Sequence, residues 1–142
     1  MTIRLLPLLA LLVPLPALAQ EDMPSLRDAV GDGAPMSYIG TRCAAFYASS
    51  AAYLGDQISE DMQSQVDNIV ALLMMTAVSA MEEEGQDTDA ARDAATTEMV
   101  ALSQAYRDRF EANAAAGLNA FADDPVYLAD NEDCTAVMTA SD

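Results

Sequence analysis

The chain contains no histidine and no tryptophan, and its six basic residues are all arginines, so lysine is absent too. Each absence removes chemistry. Without histidine there is no Ser-His-Asp or Cys-His arrangement, no H-E-x-x-H zinc helix and no C-x-x-C-H haem attachment. Without lysine there is no Schiff base and no Walker-type phosphate loop. Glycine is scarce, at six residues, and no G-x-G-x-x-G occurs. Paired carboxylates remain, as in glycoside hydrolysis, but among 23 acids some pair falls within reach by chance. The expectation is a non-enzymatic protein with no cofactor and no dedicated metal site.

What is abundant is negative charge. Formal net charge is −17, and removal of Arg4 with the leader described next makes the remainder one unit more acidic. Such a surface repels phosphate backbones and anionic lipid, which argues against nucleic-acid and membrane-surface partners. With 52% hydrophobic residues and interspersed acids, folding is favoured over disorder. Much of that apolar content is alanine, so close packing of small side chains is expected.

Residues 1–19 read as a secretory signal peptide. Met1-Thr2-Ile3-Arg4 supplies a positive charge, Leu5 to Leu15 is almost wholly apolar, and Ala17-Leu18-Ala19 has the small-x-small cleavage pattern. The run is short and interrupted by Pro7, Pro14 and Pro16, unlike a membrane helix of ~20 residues. A periplasmic or secreted protein beginning at Gln20, with no membrane insertion after cleavage, follows. Residues 20–35 carry Pro24, Gly31, Gly33 and Pro35 and read as a flexible acidic lead-in, with one short helical turn around Leu26 to Val30.

Residues 36–142 read as one helical domain. Ile39, Cys43, Phe46, Tyr47, Ser50 and Leu54 recur at helical spacing, and Gly55-Asp56 ends that helix. Ser59 caps a second, with Glu60 and Asp61 in its first turn and Met62, Val66, Ile69, Leu73 and Ala77 as its buried stripe. Ile69 to Met75 is apolar all round, which predicts cover on several sides. After the turn at Gly85 to Thr88, a third helix presents Ala95, Met99, Leu102, Tyr106, Phe110 and Asn113 on one face. Continuous to Phe121 it would be ~50 Å long, so a break at Gly117 is expected. Asp124-Pro125 restarts helix in cap-then-proline order, and Asp130 or Asn131 is a candidate second cap before Cys134. No alternating strand pattern occurs. The predicted fold is all-α, a small antiparallel bundle of about four helices closed by one disulfide.

The two cysteines, Cys43 and Cys134, fall in the first and last main helices. In an oxidising compartment two cysteines of a small exported domain pair, and nothing here (no C-x-x-C, no lysine, no histidine) suits a redox role. Arg42 precedes Cys43, and Asp130, Glu132 and Asp133 precede Cys134, so the disulfide would bring the guanidinium to a carboxylate. A rim salt bridge of that kind contributes under ~1 kcal/mol.

Glu82-Glu83-Glu84, with Asp87 and Asp89 beyond Gly85, opposes the helix macrodipole at a helix C-terminus. A cation or a basic partner would compensate, although the spacing does not match the calcium loop. Methionine is frequent, and thioethers select copper(I), but the residues lack the tight M-x-x-M clustering of a carrier and suit gap-filling in an alanine-rich core.

Arg42-Cys43-Ala44-Ala45-Phe46-Tyr47 resembles the R-C-A-x-[LF]-Y helix of a group of small exported proteobacterial proteins. Those often end in D-P-x-x-x-x-D-x-x-x-C, and Asp124-Pro125 through Asp130 to Cys134 is similar. The resemblance implies a periplasmic helical domain, supports pairing of Cys43 with Cys134, and carries over no activity. A looser similarity, to periplasmic acid-stress chaperones, rests on size, helicity and a single disulfide; those proteins are lysine-rich and this chain is not. The leading expectation is a periplasmic accessory or adaptor acting through contact with a protein partner. A stress chaperone exposing its methionines on acidification and a metal-binding carrier are the rivals.

Overall fold

The computed structural model describes residues 23–140, so the expected signal peptide at 1–19 lies outside the described residues. Within them run α1 (Leu26–Gly31), α2 (Met36–Leu54), a single 3-10 turn (Gly55–Gln57), α3 (Glu60–Glu83), α4 (Thr88–Ala115) and α5 (Pro125–Ala140). The chain is all-α: four long helices and one short one, closed by the Cys43–Cys134 disulfide, with no strand among the described residues.

Short side chains set the helix starts. Ser59 Oγ accepts from the Met62 N–H, and the Asp87 carboxylate accepts from the Ala90 N–H at 3.1 Å. Asp124 Oδ1 accepts from the N–H groups of Val126 and Tyr127 at 2.9 and 3.2 Å. Pro125 follows at a position where a missing N–H costs nothing. Caps of this kind contribute roughly 0.5–2 kcal/mol each. The stops are glycines in left-handed conformation, with φ 98° at Gly85 and 76° at Gly117. Gly117 thus breaks the long third helical pattern where expected. Asp130 and Asn131 do not recap the fourth: α5 runs through them, because Asp130 faces inward and takes its partners from other helices.

α2 is the central element, and every residue from Gly40 to Phe46 is buried. Its neighbours approach closely because it offers them small side chains. A Cβ at Gly40 would sit 2.9 Å from both Ala77 Cβ and the Leu73 carbonyl oxygen, so α3 crosses where only glycine fits. One side of the core is aromatic, with Phe46, Tyr106 and Phe110 buried. Edge-on contacts hold it together, such as Phe46–Tyr106 at 5.8 Å and Phe110–Phe121 at 5.1 Å between centroids. The far end of the α3–α4 hairpin is thinner, closed by Ala77, Met81, Ala91 and Ala95.

One expectation is corrected by this packing. All-round cover belongs to α2, not α3, because four long helices cannot enclose two central ones. α3 buries Leu73, Ala77 and Met81, while Met62, expected in its buried stripe, is exposed, as are Leu72 and Met75. Among the described residues α3 alone is long and apolar enough to cross a membrane by length and composition, a property core helices share. Its inner face belongs to the bundle. The lead-in is described from residue 23 onward. Its described part is docked: the expected turn forms as α1, with Ser25 as its cap, and Leu26 is buried in the core.

Candidate functional site

The disulfide joins α2 to α5 with Cα atoms 5.4 Å apart. It thereby places Arg42 beside Asp130, and the rim salt bridge expected here is instead fully buried, with both side chains 0% exposed. Arg42 Nη2 lies 2.6 Å and Nε 3.0 Å from Asp130 Oδ2. The Nε hydrogen is shared with Tyr106 Oη at 2.7 Å, Nη1 reaches Tyr38 Oη at 2.9 Å, and Nη2 also reaches the Pro24 carbonyl at 2.7 Å. Asp130 accepts in addition from the Tyr106 hydroxyl and, at 2.6 Å, from the Leu26 N–H. Asp133 is not part of this pair. It and Glu132 bind Arg27 on the surface at 3.0 and 2.9 Å.

Burial alone pulls the Arg42 pKa down. The oxygens of Tyr106 and Asp130 outweigh it and hold the guanidinium above its ordinary value, so it stays charged. Burial pushes the Tyr106 phenol strongly up; Arg42 opposes this and Asp130 reinforces it, so the phenol stays neutral. Among the described residues no buried side-chain nitrogen or oxygen lacks a partner. Every buried polar side-chain atom of the cluster thus has a partner within the protein. The cluster is a polar joint between α1, α2, α4 and α5.

A second joint escaped the sequence reading. Arg109 on α4 meets Asp124 in a two-pronged pair, Nη2–Oδ1 at 2.6 Å and Nε–Oδ2 at 2.9 Å. Burial raises the Asp124 pKa, but the Arg109 bond and the capped N–H groups prevail and hold it below the ordinary value. Asp124 thus caps α5 and ties it to α4. The signal for Tyr38 was available, since it sits one helical turn before Arg42. Tyr106 carried no such signal, because only packing decides which core tyrosine meets a buried charge.

The acidic turn is not gathered into a site. Glu82 accepts from the Thr88 hydroxyl, and Asp87 is spent on capping α4. Glu83, Glu84 and Asp89 are exposed. Among the described residues no group of three or more histidine, cysteine, aspartate or glutamate side chains could hold a metal ion.

Open surface is found instead along α3. On one flank Met36, Ile39, Leu72, Thr76, Val137 and Met138 line a hollow of about 80 Å³ between α2, α3 and α5. Met36 at 59% and Leu72 at 47% are exposed at its edge. On the other flank a groove of about 540 Å³ runs between α3 and α4, with Met75 70% exposed beside it. Compared with known proteins, the chain matches no family model, no curated protein and no solved structure.

Proposed function

We propose that the protein is a non-enzymatic exported helical domain, a periplasmic accessory or adaptor that works by contact with a protein partner. The observation that supports this reading is the apolar rim of Met36 and Leu72 around the hollow on α3. Leu72 belongs to a stretch, Ile69 to Met81, that carries no charge in a chain of net charge −17. An exposed apolar patch on an otherwise acidic surface is characteristic of an interaction site. The buried ionic groups Arg42, Asp130 and Tyr106 bond one another and join helices.

Site-specific photocrosslinking in the exporting cell tests this. A photoreactive side chain at position 72 is expected to give discrete protein adducts, and the same group at the exposed Gln104 is expected to give none. Met36→Glu should abolish the adducts. No adduct from position 72, or equal labelling from both, would refute the reading. N-terminal sequencing of the exported form tests the compartment: it should begin at Gln20.

A further inference from the structure

The second flank of α3 carries a different kind of surface. Met74, Met75 and Val78 form an apolar floor, and Arg92 and Thr96 of α4 stand along one side. The space exists because α4 turns only Ala91 and Ala95 toward α3 there. Its volume of about 540 Å³ lies within the roughly 300–1,000 Å³ of sites that take small molecules.

Arg92 sets the chemistry. Cations are few in this chain, and the others that the structure describes are occupied. Arg27, Arg42 and Arg109 are held by carboxylates, and Arg107 donates to Gln104. Among the described residues Arg92 has neither hydrogen bond nor ion pair. Glu82 lines the same groove, yet it accepts from Thr88 instead of pairing with Arg92. Asp89 and Asp93, its neighbours in sequence, leave it free as well. A free guanidinium at the edge of an apolar trough is complementary to a molecule with one anionic head and an aliphatic body.

We propose that the α3–α4 groove binds the anion of a free aliphatic carboxylic acid. The carboxylate sits on Arg92, with the Thr96 hydroxyl beside it, and the chain lies along Met74, Met75 and Val78. Glu82 keeps a second negative group out of the far side, so the site takes monocarboxylates. This groove is separate from the hollow at Leu72, and the two assignments stand or fall independently.

The methionines supply the readout. Protein labelled with ¹³C-methyl methionine is titrated with dodecanoate, with dodecanol and with dodecyltrimethylammonium, each below its micelle concentration. Dodecanoate should shift the Met74 and Met75 methyl signals saturably and leave the exposed Met36 and Met62 in place. Dodecanol should bind about tenfold more weakly, the difference expected for a hydrogen bond to a charged group. In Arg92→Gln, dodecanoate should fall to the affinity of dodecanol. Arg92 is exposed and unbonded, so this variant should melt as the parent does. Equal shifts at all exposed methionines would show mere adsorption and overturn the proposal. So would equal affinity for acid and alcohol in the parent, a preference for the ammonium, or an unchanged response in Arg92→Gln.

Discussion

Replacing Asp130 with asparagine removes one charge and almost no volume, and the structure predicts a large penalty. Arg42 and Asp130 are both 0% exposed, so the guanidinium left behind cannot recover water. Orphaning one member of a buried pair costs about 3–5 kcal/mol. The carboxamide adds a second fault. Asp130 accepts from Arg42, Tyr106 and the Leu26 N–H, and an NH₂ group there would confront a donor. Against a total stability of roughly 5–15 kcal/mol, Asp130→Asn should consume about a fifth or more. For a domain of this size that corresponds to a melting temperature lower by about 10–20 °C. Urea unfolding of the oxidised protein, followed by circular dichroism, measures it. The double variant Arg42→Leu/Asp130→Asn separates the causes. Removing the stranded charge should make it cost at least about 2 kcal/mol less than the sum of the single variants. A loss below about 1 kcal/mol for Asp130→Asn, or strict additivity in the double variant, would refute the account of the joint as a coupled buried pair.

Three further outcomes follow from the same geometry. Gly40→Ala normally favours a helix, yet here the new methyl would meet Ala77 Cβ and the Leu73 carbonyl oxygen at 2.9 Å. Thermal unfolding should show a net loss of about 1–3 kcal/mol, and a stabilised variant would disprove the close α2–α3 crossing. On the acid side, the Asp124 pKa is lowered in the folded state, so its contribution is full above the unfolded value of ~3.9 and is lost as pH falls through the folded one. Asp124→Asn should flatten the fall in stability below about pH 4; a parent-like acid limb would contradict this. On the alkaline side, Tyr106 and Tyr127 have raised pKa values, so stability is full below the unfolded value of ~10 and declines as pH rises above it. Absorbance at 295 nm follows ionisation of the five tyrosines, and these two should ionise only as the protein unfolds. Tyr106→Phe should raise the alkaline limit, and complete ionisation in the folded protein would count against burial of that phenol.

Local patterns made the helices legible. Ser59, Asp87 and the Asp124-Pro125 pair act on their own next few residues, and Gly85 and Gly117 break helix through their own backbone freedom, so starts and stops are written in short stretches. The pairing of the only two cysteines was legible for a different reason: two thiols have one possible intramolecular partner each. Arg42 could be matched to the carboxylates Asp130, Glu132 and Asp133 because they lie at the two ends of that disulfide, and packing selected Asp130.

Which side chains cover which was a question of three dimensions. Ile69 to Met75 is apolar on every side, and periodicity alone cannot tell a central helix from a half-covered one. The bundle resolved it by crowding neighbours around α2, whose glycine and alanines let backbones approach, and by leaving Leu72 and Met75 on α3 outside. The same packing turned Asp130 from a candidate cap into a buried acceptor of the Leu26 N–H, and brought the Pro24 carbonyl to Arg42. Composition and local spacing determined an acidic, disulfide-closed helical chain without histidine or lysine chemistry. Only the tertiary structure decided which charges are sealed inside and which arginine stays free, because burial and pairing depend on residues far apart in the chain.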